Sequence, residues 1–256
     1  MKTIDSKLIG RSLVALAVAA LASSAFAAST WSANLQATCG SNTHSQSCSA
    51  SPGVALSGWS TGTGTIASPS TGSAFAAATV YNWGSAGLGV VAINEDAGAT
   101  GPHATDNRRG IDAMLVRFTD GPVSLSGLTI GWNGTDNPSG AYTGSDLSVL
   151  AWTGGASGPT MAGSGLLSSG WTMVGNYADV GVGSNTQAVS TSIFSSYWLI
   201  SAYSTAYGGG LTGGNDAFKL LSVAGSTRDT TVPEPGSLML LGLGLVGVMA
   251  SRRRRA

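Results

Sequence analysis

Few residues in this 256-residue chain have side chains suited to catalysis or metal binding. His44 and His103 are its only imidazoles, and Cys39 and Cys48 its only thiols. His44 lies between the cysteines, in CGSNTHSQSC, so three chemistries compete there: a disulfide, a metal site and a Cys–His nucleophile. The metal site lacks a fourth ligand in this stretch, and an exported chain makes the disulfide the default. His103 opens a second cluster, GPHATDNRRGIDAMLVRF over residues 101–118, with Asp96 just upstream. Asp96, Asp106 and Asp112 with Asn107 offer oxygens that suit calcium, and a histidine beside a carboxylate suits proton transfer. The spacing matches no EF-hand and no HExxH, and the chain holds no P-loop. The plainer reading is an ordered loop entering a strand. Asp106 and Asn107 then cap turns, while Arg108 or Arg109 pairs with Asp112 or Asp120. Calcium on Asp96, Asp106 and Asp112 stays a weak alternative, and no residue is assigned catalysis.

Two processing signals flank the segments that must position these residues. Lys2, Lys7 and Arg11 precede an apolar run at 13–21, and Ala25-Phe26-Ala27 supplies small residues at a cleavage site. That order predicts a secretory signal peptide over residues 1–27, removed by signal peptidase after passage through the secretion machinery. At the other end stand Val232, Pro233, Glu234, Pro235 and Gly236, then an apolar run at 238–250, then Arg252, Arg253, Arg254 and Arg255. The prolines block helix and strand continuation. The 13 apolar residues make about 20 Å of helix, against a hydrocarbon core of about 30 Å. With snorkelling flanks this reads as a short transmembrane helix, oriented by the arginine cluster. The expected course is export, transient inner-membrane anchoring by that helix, then release to the cell surface or extracellular matrix.

Between the signals, residues 28–231 carry five basic and ten acidic side chains, a net charge of −5 that the formal neutrality of the whole chain conceals. Charged residues are only 9 % of the chain, against roughly 25 % in an average soluble domain. This balance excludes nucleic acid as a partner and disfavours anionic polysaccharide as a purely electrostatic one. No stretch sustains a 3.6-residue apolar period. Alternating runs at 54–59, 74–83, 88–93, 113–118, 123–132, 147–152, 171–176, 197–203 and 217–223 read as strands, separated by segments such as GTDNPSG at 134–140. Nine short strands in about 200 residues predict a single all-β domain, an antiparallel sandwich or jelly roll, flanked by the signal peptide and a C-terminal hydrophobic helix. No repeat stays in register long enough for a β-helix.

Val-Pro-Glu-Pro-Gly, a hydrophobic segment and terminal arginines, in that order, resemble the bacterial PEP-CTERM sorting signal. The resemblance implies processing by exosortase, a membrane-embedded cysteine protease of Gram-negative bacteria that make extracellular polysaccharide. The body is similar to the exosortase-dependent surface protein type one family. The early cysteine pair carries that similarity, with HATDN at 103–107, VSL at 123–125, LTIGW at 128–132, DLSVLA at 146–151, GWTMVGNY at 170–177, SYWLISAY at 196–203 and FKLL at 218–221. The family implies a surface or matrix protein and supplies no catalytic residues. The function expected is a non-enzymatic, exosortase-sorted structural protein of the surface or biofilm matrix, associated with exopolysaccharide. The alternative is a carbohydrate-binding module whose Trp132, Trp152 and Trp171 stack on sugars. An aromatic-lined open groove would favour binding, and a carboxylate pair in a pocket would favour an enzyme.

Overall fold

Alternating apolar and polar residues, rich in Val, Ile, Leu, Thr and Trp, give extended chain wherever they run for four residues or more. The computed structural model describes residues 30–35, 39, 44–45, 47–49, 53–62, 74–92, 103–134, 144–161, 163–183, 186–211 and 216–228, and in the tail 242, 244, 245, 247 and 253. The strands are β1 (Thr30–Asn34), β2 (His44–Ser45), β3 (Ser47–Ser49), β4 (Val54–Ser60), β5 (Ala76–Asn82), β6 (Leu88–Val91) and β7 (Thr105–Asp106). They continue with β8 (Asp112–Phe118), β9 (Val123–Gly134), β10 (Ser145–Trp152), β11 (Trp171–Val180), β12 (Gln187–Ala188), β13 (Tyr197–Ala202) and β14 (Ala217–Thr227). All nine runs read from the sequence carry a strand. β1, β2, β3, β7 and β12 were not legible, because two to five residues are too few to display a period. All the strands lie in one unit, Ser29–Arg228.

Strand pairing overturns the sandwich or jelly roll. Ten strands follow one hydrogen-bonded path, β11-β10-β13-β8-β4-β5-β6-β14-β9-β12, with β1 and β7 added on β14, β2 on β5 and β3 on β4. Every strand pair is antiparallel. β5 makes the path continuous: residues 76–78 pair with β4 and residues 79–82 with β6. The two ends of the path also approach each other. Val182, just past β11, bridges Ile130 of β9, and the Gly183 N–H donates to the Ile130 carbonyl at 3.3 Å. Ser195 and Val123 exchange backbone hydrogen bonds of 3.0 and 3.1 Å. The result is a nearly closed ten-strand antiparallel barrel, with short 3-10 turns and no α-helix in the described body. A period of two tells which side chains face inward, and it is the same for a sandwich and a barrel, so pairing order was invisible in the pattern.

The interior is filled by side chains. Met114, Val116 and Phe118 of β8, Leu147, Val149 and Ala151 of β10, and Trp198, Ile200 and Ala202 of β13 join the large core with Leu56, Val80, Leu128, Ile130, Leu220 and Val223. The intervening residues Ala113, Leu115, Leu150, Trp152 and Leu199 point outward but stay buried. Leu166, Trp171, Tyr207 and Phe75 cover them in a second cluster. This part of the sheet is therefore apolar on both faces, which explains the fully buried pattern of residues 147–152. Gly89 allows the chain before β7 to lie against β6, since a Cβ there would fall on the His103 carbonyl oxygen.

Cys39 and Cys48 are joined in a disulfide with their Cα atoms 5.3 Å apart, and the Asn82 side-chain amide donates to the Cys39 carbonyl. Closing a loop of ten residues removes unfolded-state entropy worth roughly 2–3 kcal/mol. Reduction is expected to lower unfolding stability by that amount. Denaturant titration with and without reductant checks it, and an unchanged midpoint would contradict it.

The tail departs from expectation. Of residues 232–256 only 242, 244, 245, 247 and 253 are described, so the Pro-Glu-Pro segment and most of the arginine cluster lie outside the described residues, as do residues 1–27. Among the described residues no helix is long and apolar enough to cross a membrane. The expected transmembrane helix, and transient inner-membrane anchoring with it, are corrected accordingly. Thirteen apolar residues fall about 10 Å short of the bilayer core even as a perfect helix.

Candidate functional site

The His103 cluster folds as a stitched loop. His103 is buried, with φ at +38°, and its ring lies 5.8 Å from that of Trp83 and 5.4 Å from that of Tyr81. The Asp106 N–H donates to Asp112 Oδ2 at 3.4 Å, and the Arg108 N–H donates to Asp106 Oδ1 at 3.0 Å. Asp106 and Asp112 are both buried and accept bonds from the loop's own backbone. Among the described residues no group of three or more His, Cys, Asp or Glu side chains is arranged to hold a metal ion, and Asp96 lies outside them. His44 pairs through its backbone with Tyr81.

Asn107 leads instead to a carboxylate that sequence reasoning missed. Its side-chain amide donates to Asp216 Oδ2 at 2.7 Å and to the Tyr203 carbonyl at 3.0 Å, and its own Oδ1 accepts from the Asp216 N–H at 2.9 Å. Asp216 Oδ1 accepts from the Asp146 N–H, and Asp146 Oδ1 from the Asp179 N–H, both at 2.8 Å. Asp216 and Asp146 precede or begin strands after glycine- and asparagine-rich turns, a signal of capping rather than catalysis. Burial, reinforced by the carboxylates of Asp146 and Asp179, raises the Asp216 pKa from 3.8 to about 6 against the opposing hydrogen bonds. The folded state therefore binds this proton more tightly than the unfolded chain. Its stabilising contribution is full below pH 3.8 and is lost as pH rises through about 6, a change on the order of 2–3 kcal/mol. Asp216→Asn is expected to lower stability at every pH but to remove this component of the pH 4–6 slope. Thermal melts across that range test it, and an unaltered slope would refute it.

Lys219 sits on β14 opposite Trp132 of β9. Its ammonium lies 4.1 Å from the centre of the Trp132 ring and 4.5 Å from that of Trp83. Burial pushes its pKa down to about 8, while the two indole faces stabilise the cation. The face of Trp132 is thus occupied by the protein's own lysine. Trp171 is buried and donates its Nε1–H to the Thr160 carbonyl at 3.0 Å. Its ring meets that of Trp152 edge-on at 5.6 Å. The three tryptophans expected on a sugar-binding face do not share one.

A different aromatic set lines an open groove of about 450 Å³ between the ends of β8, β10 and β13. Phe118, Trp152, Phe194 and Tyr197 form its walls, with Arg117, Thr119, Thr153 and Ser196 at its polar positions. Arg117 and Tyr197 are directly opposed on β8 and β13, which places the guanidinium 5.7 Å from the ring centre. Ser195 braces the floor: its hydroxyl lies 2.8 Å from the carbonyls of both Trp152 and Tyr197, and the Tyr197 N–H donates back to it at 3.0 Å. The Phe118 N–H donates to the Ser196 carbonyl at 2.8 Å. Among the described residues no carboxylate, histidine or cysteine lines this groove. Sequence reading overlooked it because its walls come from three segments spread over residues 117–197, and only strand pairing brings them together.

With this geometry in view, comparison with known proteins adds one match. Residues 231–255 match the family described as the PEP-CTERM protein-sorting motif. A PEP-CTERM sorting motif is present near the C-terminus, and it implies interaction with an exosortase-type sorting system. No curated protein and no solved structure matches the chain. The match spans the tail only, and the barrel lies outside it.

Proposed function

We propose that this chain is a non-catalytic structural protein of the cell surface or extracellular matrix, associated with exopolysaccharide. Residues 1–27 act as its signal peptide, residues 28–231 are the matrix body, and residues 232–256 are read by an exosortase-type protease. The PEP-CTERM motif at 231–255 carries the reading. One feature of the body supports it: its buried carboxylates are engaged with its own backbone. Mass analysis of surface material from cells with and without the exosortase tests it. The expected product begins at Ala28 and ends short of Ala256 in the first strain, and is missing from the surface of the second. A mature chain ending at Ala256 in both strains refutes it. A second reading, a carbohydrate-binding body, is favoured by one observation: the groove walled by Trp152, Phe194 and Tyr197.

A further inference from the structure

We propose that the groove between β8, β10 and β13 binds an acidic polysaccharide. A uronate carboxylate sits on Arg117, and a sugar ring lies against the exposed apolar wall at Pro122 and Ala156. The inference rests on the carbohydrate reading of that groove and names the class of glycan.

The net charge of −5 describes the body as a whole, and the groove departs from it. Two of the body's five cations stand on aromatic rings of this one groove. The Arg117 guanidinium lies 5.7 Å from the Tyr197 ring centre, and that of Arg228 lies 4.9 Å from the Phe194 ring centre. Among the described residues no carboxylate lines the groove. The nearest in sequence, Asp120, accepts a hydrogen bond from Thr119 Oγ1 at 3.2 Å and reaches toward Gly53. Arg117 is exposed and forms no ion pair among the described residues. An exposed guanidinium over a ring keeps its planar fork of N–H donors for an incoming anion, and that fork fits a carboxylate with two parallel bonds. Low-dielectric aromatic walls strengthen the attraction locally.

The remaining lining decides between a glycan and a bare anion. A free anion uses the cation alone. Here exposed Pro122 and Ala156, beside Trp152, add apolar surface suited to the C–H face of a pyranose, and the hydroxyls of Thr119, Thr153 and Ser196 match sugar hydroxyls. A volume of about 450 Å³ falls within the usual range of ligand clefts, ~300–1,000 Å³.

Calorimetric titration of the full exported chain tests the assignment. The probes are an oligogalacturonate, its fully methyl-esterified and therefore neutral form, and inorganic phosphate. The acidic oligomer is expected to bind, with affinity falling as salt rises. The ester is expected to bind at least tenfold more weakly. Arg117→Gln should weaken the acidic oligomer at least tenfold with an unchanged thermal transition, Arg117→Lys should fall between the two, and Arg228→Gln should cost less than Arg117→Gln. Equal binding of acid and ester, unaffected by Arg117→Gln, overturns the acidic assignment and leaves the carbohydrate reading standing. Phosphate binding that competes fully with the oligomer overturns it in favour of a small-anion site. Binding of neither glycan overturns both readings of the groove.

Discussion

Trp198→Ala is expected to destabilise the barrel by about 4 kcal/mol, the largest loss from any single truncation in the core. The indole is fully buried on β13, inside the large core. Its Nε1–H lies 3.1 Å from the Val123 carbonyl and 3.0 Å from the Ser195 carbonyl. Those two residues also exchange the backbone bonds that tie the segment before β13 to β9. Truncation therefore empties a large volume and removes a donor that two closing segments share. A loss of that size is a sizeable part of the roughly 5–15 kcal/mol that stabilises an ordinary domain. Trp198→Phe keeps most of the ring and should cost less, about 2 kcal/mol, from the lost ring volume and the lost indole hydrogen bonds, while the two carbonyls keep their backbone donors. Urea unfolding with an unchanged slope measures both. A loss below about 1 kcal/mol for the alanine variant would show that Trp198 does not hold the closure together.

Replacing Pro233, Glu234 and Pro235 together by alanine is expected to leave export intact and to abolish nearly all C-terminal processing. Each proline fixes φ and lacks an N–H, two properties that alanine does not share. A protease that reads extended backbone around the Glu234 carboxylate then loses both the conformation and the charge. The motif lies in residues 231–255, outside the unit Ser29–Arg228, so the unfolding transition of the body should not move. The measurement is intact mass of the cell-associated and surface fractions. A full tail in the variant, with little protein at the surface, is the expected result. Processing at the unmodified level would remove the Pro-Glu-Pro segment from the sorting signal.

Strand positions were legible because each apolar run announces its own extended conformation. The runs at 197–203 and 147–152 fold as they read. The cysteine pair was legible because the chain has no other thiol. Asp106 and Asp112 illustrate the opposite case. Their residue type suggests ligands, and whether they face a cation or the backbone N–H groups of their own loop depends on turn geometry that residue type does not encode. Trp132 is similar: an indole in a strand promises a stacking face, and the cross-strand partner Lys219 takes that face.

What the sequence by itself determined is local. The sorting motif is a linear string, and strand identity follows from a period of two within a few residues. Tertiary structure alone decided what depends on partners distant in the chain. β5 passes from β4 to β6 and turns an expected pair of sheets into one nearly closed barrel. The same closure carries Arg117, Trp152, Phe194 and Tyr197 to one groove from separate segments. Inward and outward alternation is the same for every pairing order, so the choice among orders falls to long-range packing, here around Trp198, Ile130 and Leu220.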